Sequence, residues 1–322
     1  MLNFCTLFNS VYLSRGLALY ESLKEHCSDF HLYIFTFDDA TYNFFKDNNF
    51  DYITPISLKE FEDKELLRVK PTRTKGEYCW TCTSSTILYV LNHFEVDHCT
   101  YIDADLYFFS SPQVLIDEMG DASILLTEHR YTKEYDQTAT SGKYCVQFVL
   151  FKNDERGRSA LTWWRERCLE WCYNRMEDGK FGDQKYLDDW IERFEGVYIL
   201  KHLGGGVAPW NMQQYTFHID NGMICGYEIA SGSRFYLIFF HFHALFFVSP
   251  TYFSPSEYKI TDECYITVLL RRYVKNIVDI RKKYSSIINF EHYKTILHRI
   301  SHFLYMFRFR NMQEIKCLLI AK

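Results

Sequence analysis

The chain opens on a short apolar run, residues 3–8, followed by a turn-like Asn9-Ser10 and then by apolar positions Leu13, Leu17, Tyr20 and Leu23 within 12–25. A short apolar run bounded by turn residues predicts a buried strand, and apolar spacings of three and four predict one face of a helix. The alternation continues. Residues 30–37 (FHLYIFTF) predict a second strand, 42–48 a short helix, 52–57 a third strand, 83–92 a helix and 99–109 (CTYIDADLYFF) a fourth strand. Strands separated by helices imply parallel βαβ units and a doubly wound sheet.

Further along, 124–127 and 146–152 predict strands. Residues 158–178 predict a long amphipathic helix with Leu161, Trp164, Cys168, Trp171 and Cys172 on one side, and 183–194 a second helix. Later strands are expected at 197–200 and 235–248. Pro250 and Pro255 punctuate the chain, and from about Asp262 the pattern turns helical and basic, over 265–284 and 293–309. The expected organisation is a mostly parallel α/β domain over 1–250 and a basic helical appendage over 251–322.

Composition narrows this picture. At 322 residues, 48% hydrophobic and 24% charged, the chain is neither disordered nor fibrous. Aromatic residues make up 18%, enough for a large core and a site for a ring-bearing ligand. The eleven cysteines are odd in number and scattered, which argues against a disulfide framework and for a reducing compartment. The first residues carry no charged or long apolar signal. The longest nearly apolar run, 235–248, is interrupted by His241 and His243 and falls short of the roughly 20 residues that span a bilayer. A cytoplasmic protein is expected. Charge is uneven: residues 271–322 hold 12 Lys/Arg and 3 Asp/Glu, a net of +9, so the remainder carries −14 of the total −5. A basic tail interleaved with Phe, Leu, Met and Tyr fits an interfacial helix at the inner face of a membrane, or a solvated helix packed by its aromatics. No nucleic-acid motif accompanies the charge.

The chemistry concentrates in Asp103-Ala104-Asp105, at the end of an apolar strand. Residues i and i+2 of a strand point to one side. Two carboxylates there repel each other and lose solvation, and a divalent cation such as Mn²⁺ or Mg²⁺ removes that cost. The alternative is a solvated turn. In open α/β sheets, ligands bind at the carboxyl ends of strands.

The short first strand, the Tyr-bearing segment after it and Tyr101-Ile102-Asp103-Ala104-Asp105-Leu106 together resemble a GT-A glycosyltransferase. The similarity is to glycosyltransferase family 8, the family of glycogenin and of bacterial lipopolysaccharide glycosyltransferases. It covers about residues 3–250. Phe181-Gly182-Asp183-Gln184-Lys185-Tyr186-Leu187-Asp188 resembles the family's Asp-Gln-Asp-x-Leu-Asn block, with Lys185 at the second Asp. Residues 145–153 (CVQFVLFKN) resemble its Phe-Asn-Ser-Gly-Val strand, with Gln147 near the Ser-Gly.

The resemblance implies a metal-dependent transfer of a sugar from a nucleotide-diphosphate donor, a UDP-sugar in the first instance, to a saccharide or lipid-linked saccharide, with retention at the anomeric carbon. Asp103 and Asp105 would hold the metal. Phe8, Asn9, Tyr12, Lys75, Asp103, Ala104 and Asp105 would hold the donor, with Tyr12 stacked on the base. Asp183, Gln184 and Gln147 would lie at the reacting centre. Asp183 could equally serve as an N-cap.

The family's third metal ligand is the His of His-Phe-x-Gly-x-x-Lys-Pro-Trp. Residues 202–210 (HLGGGVAPW) match it at His202, Gly205, Pro209 and Trp210, with Ala208 for Lys. His241-Phe242-His243-Ala244 matches only its beginning and also lacks the Lys. His202 follows Gln184 by 18 residues and His241 by 57. The longer separation favours His241 or His243, which project from one face of a strand opposite Phe240 and Phe242. Lys70, Arg73 or Lys75 could supply the missing positive charge.

Other features have two readings each. Gly204-Gly205-Gly206 permits close backbone approach to a phosphate or sugar, or forms a tight loop. Trp210 with Asn211, Gln213 and Gln214 suits a sugar pocket or core packing. Cys79, Cys82, Cys168 and Cys172 suit zinc or, better, apolar packing. Two other functions remain compatible with such a sheet. A sugar-nucleotidyltransferase would need a glycine-rich loop after the first strand, and residues 9–15 have none. A non-catalytic saccharide- or membrane-binding module draws support from the absent Lys.

Overall fold

A computed structural model describes residues 1–247, 253–254, 258–259 and 262–289. The first half of the chain supplies β1 (Leu2–Phe8), β2 (Phe30–Thr36), β3 (Ile53–Ser57), β4 (His98–Ile102) and the short β5 (Leu106–Phe108). β6 (Ile124–Glu128), β7 (Tyr144–Lys152) and β8 (Val197–Ile199) follow. All but β5 join one seven-stranded sheet in the order β3-β2-β1-β4-β7-β6-β8. Neighbours are parallel throughout except β7, which runs antiparallel to both β4 and β6. This is the mostly parallel, helix-flanked α/β sheet that the alternating pattern predicts.

β1 is buried along its whole length, as a strand covered on both faces must be. Alternate residues enter opposite cores. Phe4 and Phe8 join one cluster with α1 (Leu13–His26), while Cys5 and Leu7 join the other with the helices Lys75–His93 and Glu155–Glu170. The helix expected at 83–92 begins eight residues earlier. A capping box between Thr74 and Glu77 starts it and makes Lys75 its first residue. The helix expected over 158–178 instead spans Glu155–Glu170, capped by Asp154, and the chain is extended from Trp171. The helix expected over 183–194 is a 3₁₀ turn, Gln184–Leu187, and a single α turn, Trp190–Arg193.

Two long predicted strands are broken, and both breaks shape the site. The strand expected over 99–109 stops at Ile102, where Leu106 N–H donates to the Asp103 carbonyl (3.2 Å) and closes a tight turn. The strand expected over 235–248 is divided as well. After β9 (Tyr215–Asp220) and β10 (Met223–Glu228), β11 (Arg234–Tyr236) completes an antiparallel sheet, and β12 (Phe239–His241) pairs antiparallel with β5.

The helix Arg271–Lys283 sends Tyr273, Val274, Ile277 and Ile280 into the same core cluster as α1. Its apolar face is therefore turned inward, and its outer face carries ion pairs such as Arg272 with Glu25 and Lys275 with Asp279. The boundary expected at residues 250–251 and the helix expected at 293–309 lie outside the described residues. Among the described residues no helix is long and apolar enough to cross a membrane.

Candidate active site at the carboxyl ends of the strands

β1 is flanked by β2 on one side and β4 on the other, so the chain reverses its direction of sheet growth between them. Such a switch point leaves a crevice outside the carboxyl ends of the strands. The turn after β1, the Asp103–Asp105 turn after β4 and the start of β7 all meet there.

β12 brings in the histidine. Its register places His241 opposite Leu106, the residue after Asp105, and His241 N–H donates to the Val207 carbonyl (2.9 Å). The ring is buried. Nε2 lies 3.0 Å from Asp105 Oδ1 and 3.7 Å from Asp103 Oδ2. Nδ1 lies 2.7 Å from the side-chain oxygen of Gln147, itself fully buried. Tyr101 O–H donates to Asp103 Oδ1 (3.1 Å). Among the described residues Asp103, Asp105 and His241 form a group of three potential metal ligands, their atoms within 4.8 Å of one another.

The charges are interdependent. Burial pushes the Asp103 carboxyl up to about 6, against the pull of His241. Asp105 is also desolvated, but His241 and Arg15 hold it down at about 2. Burial alone would lower His241, yet the two carboxylates raise it well above the usual imidazole range. A proton on His241 thus occupies the place between two carboxylates that a cation would take. Two hard oxygen donors and an imidazole nitrogen are chemically suited to Mn²⁺ or Mg²⁺.

The other expected residues are distributed as follows. Ala104 is buried between the two aspartates. Tyr12 is 41% exposed, its ring 4.6 Å from the Arg15 guanidinium, and partial burial and the Asp105 charge raise its phenol. Asn9 spends its side-chain oxygen on Val11 N–H (3.2 Å). The Phe8 ring is buried in the core, where it fills the space that a side chain on Gly16 would need. Lys75 is exposed at the start of its helix. Asp183 is buried and its side chain makes no cap hydrogen bond. Burial lifts its carboxyl to about 7, countered by the Thr83 hydroxyl, and the charge of Asp103 adds to the rise. Gln184 is half-buried beside it.

His243 is exposed, with its ring 5.5 Å from that of His241, and stands outside the three-ligand group. His202 is committed elsewhere: its Nδ1 accepts from Gly204 N–H (3.1 Å), and its own N–H donates to Glu118. Gly204 and Gly205 are close-packing positions. A Cβ on Gly204 would fall 1.9 Å from the Tyr236 carbonyl oxygen, and one on Gly205 2.6 Å from Leu200. Gly206, at φ +103, approaches the Gln147 amide nitrogen. The ten cysteines among the described residues are free.

Trp210, which had two readings, is buried against the histidines, and Arg130 carried no signal in the pattern. The Trp210 ring lies 5.3 Å from both His241 and His243 and 5.5 Å from His129, and its Nε1–H donates to the His129 carbonyl. Arg130, at φ 49, directs its guanidinium to the carbonyls of Leu200, His202, Leu203 and Gly205. It thereby fixes the loop that leads into Gly206.

The fold and site together define an α/β protein with a carboxylate–histidine centre at its switch point. No family model matches the chain. It is 32% identical over 283 residues to YfnD of Bacillus subtilis (strain 168), covering 85% of this chain and 88% of YfnD. It is 34% identical over 254 residues to YfnF of the same organism, covering 76% and 82%. The chain belongs to the family of YfnD and YfnF.

Among solved structures it is similar to mouse xyloside xylosyltransferase 1 (TM-score 0.42, 12% identity, 62% of this chain and 84% of that one). It is also similar to the galactosyltransferase LgtC in complex with donor and acceptor sugar analogs (TM-score 0.41, 13% identity, 62% and 73%). A third is the glycosyltransferase GlyE of Streptococcus pneumoniae TIGR4 (TM-score 0.40, 13% identity, 64% and 46%).

Proposed function

We propose that the chain is a GT-A glycosyltransferase that moves a sugar from a nucleotide-diphosphate donor, a UDP-sugar first among them, to a saccharide or lipid-linked saccharide with retention. The observation that carries this reading is the convergence of Asp103, Asp105 and His241, from strands far apart in sequence, at the crevice where an α/β sheet binds ligands. A bound Mn²⁺ or Mg²⁺ supplies Lewis-acid neutralisation of the leaving diphosphate.

The residues of the chain do the remainder. Asp103 and Asp105 offer the oxygen donors, and His241 offers Nε2 because Gln147 occupies its Nδ1. Tyr12, exposed and within the electrostatic reach of Asp105, offers a flat face to the base. Asp183, half-protonated near neutral pH, lies within the field of Asp103 and presents a carboxyl to the transferred sugar. The deep burial around it limits water access, which favours transfer over hydrolysis.

The test is calorimetric titration of UDP with and without Mn²⁺, on the wild type and on Asp103→Ala/Asp105→Ala. Metal-dependent binding that disappears in the double variant is expected. A folded wild type that binds no UDP in Mn²⁺ overturns the UDP-donor reading.

A further inference from the structure

Tyr101 is the penultimate residue of β4, two positions before Asp103. Its backbone is held on both sides. It pairs in parallel with Cys5 of β1 and antiparallel with Val149 of β7. Its ring is buried in the core cluster shared with the helices Lys75–His93 and Glu155–Glu170. In extended chain, residues two apart project to one side. The Tyr101 phenol accordingly reaches the carboxylate that follows it, and its O–H donates to Asp103 Oδ1 at 3.1 Å.

The two aspartates of the turn are therefore held by different groups. Asp105 Oδ1 faces His241 Nε2 at 3.0 Å. Asp103 has one oxygen on the phenol and the other, Oδ2, on the histidine side, 3.7 Å from Nε2. The Asp103 backbone is fixed as well, since its N–H donates to the Gln147 carbonyl (3.1 Å). With the backbone held, the freedom left to this residue is rotation of its side chain, and the phenol restrains that rotation from a site that is itself rigid. A buried tyrosine hydroxyl needs an acceptor in any core. What this pairing adds is direction: it takes up one oxygen of a carboxylate and leaves the other pointing at the histidine.

We propose that Tyr101 is a positioning residue of the metal centre, its phenol engaging Oδ1 of Asp103 so that Oδ2 is presented to a cation beside Asp105 and His241. The proposal rests on the metal-dependent reading above. It extends the centre to a side chain that acts only through Asp103.

The experiment titrates the full chain with Mn²⁺ alone, following free Mn²⁺ by electron paramagnetic resonance, so that neither donor nor turnover enters. Tyr101→Phe keeps the ring and removes the donor. It is expected to bind Mn²⁺ about 10- to 100-fold more weakly, the loss typical of groups that orient a metal ligand. Tyr78→Phe is the matched control. Tyr78 is equally buried in the same cluster, and its hydroxyl also donates to a carboxylate, Glu62 Oε1 at 2.7 Å. Both variants leave a carboxylate oxygen without its donor and should melt somewhat below the wild type, but Tyr78→Phe should bind Mn²⁺ normally. Tyr101→4-fluorophenylalanine fills the space of the hydroxyl without donating and should lose as much affinity as Tyr101→Phe, which keeps the test open if the smaller side chain does not fold. Tyr101→4-aminophenylalanine restores an N–H donor and should recover affinity. If folded variants lacking the donor bind Mn²⁺ as the wild type does, or if Tyr78→Phe weakens binding equally, Tyr101 is a core residue only and the proposal falls while the metal-dependent reading stands. If the wild type binds no Mn²⁺, both fall.

Discussion

His241 Nδ1 stands 2.7 Å from the side-chain oxygen of Gln147, a residue 94 positions earlier in the chain. The pairing decides which nitrogen of the ring is available. With Nδ1–H donating to Gln147, Nε2 is directed at Asp105 and Asp103. Groups that hold the far nitrogen of a ligating histidine typically affect metal affinity about 10- to 100-fold. Gln147→Leu should weaken Mn²⁺ binding by that order, measured by electron paramagnetic resonance of free Mn²⁺, while the melting temperature stays near that of the wild type. Unchanged affinity would mean that packing against Trp210 alone fixes the ring.

Metal binding should be steeply pH-dependent. Asp103 carries a proton below about 6 in the metal-free protein, and His241 is protonated well above the usual imidazole range. A cation must displace both, so affinity rises with pH and proton release accompanies binding. Titrations of Mn²⁺ between pH 5 and pH 8, in buffers of different ionisation enthalpy, should show more than one proton released at the acid end. A flat profile across that interval would contradict the protonation of Asp103 and His241.

Much of this architecture was legible beforehand, and the failures have physical causes. β1, β2, β4 and β7 read correctly because strands buried on both faces are continuous apolar runs. Asp103 and Asp105 stood out because carboxylates are rare in such a run. The extent of the strand around them did not, because the turn at 103–106 is set by a backbone hydrogen bond and leaves no polar gap in CTYIDADLYFF. The β9–β10 hairpin was overlooked although Asn221-Gly222, both at positive φ, is the turn such hairpins prefer. The contacts of Arg130 and Arg15 were not legible at all. They join segments 70 and 230 residues apart, Arg130 with Leu200 and Arg15 with Leu245.

The glycine run provides a test of the loop that Arg130 holds. Gly204→Ala would bring a methyl into the Tyr236 carbonyl, a backbone atom with no easy retreat. Overpacking of this kind costs roughly 1–3 kcal/mol or more, so the melting temperature should fall by several degrees. Gly76→Ala is the matched control: it lies in the first turn of the helix Lys75–His93, and its added methyl meets nothing within 4 Å. It should be neutral or stabilising by about 0.4–1 kcal/mol. Comparable melting of the two variants would contradict the close approach at Gly204.

Asp183 should set stability against activity. Its folded-state value of about 7 lies above the ordinary carboxylate range because the group is buried. A carboxyl raised in this way binds its proton more tightly when folded than when unfolded. Stability is then greatest at acid pH, falls as pH rises toward 7, and is lowest above it, where a buried charge must be maintained. Asp183→Asn removes that charge. The variant should melt higher than the wild type at pH 8, by an amount on the order of a few kcal/mol, and the gain should vanish near pH 4. If the carboxylate also stabilises developing positive charge on the sugar, turnover should fall by roughly 10²-fold or more. A more stable protein with lower turnover is the signature of a group kept for chemistry. A variant that melts lower at every pH with normal turnover would make Asp183 a structural residue, and the candidate for the reacting centre would then be Gln184 or Gln147.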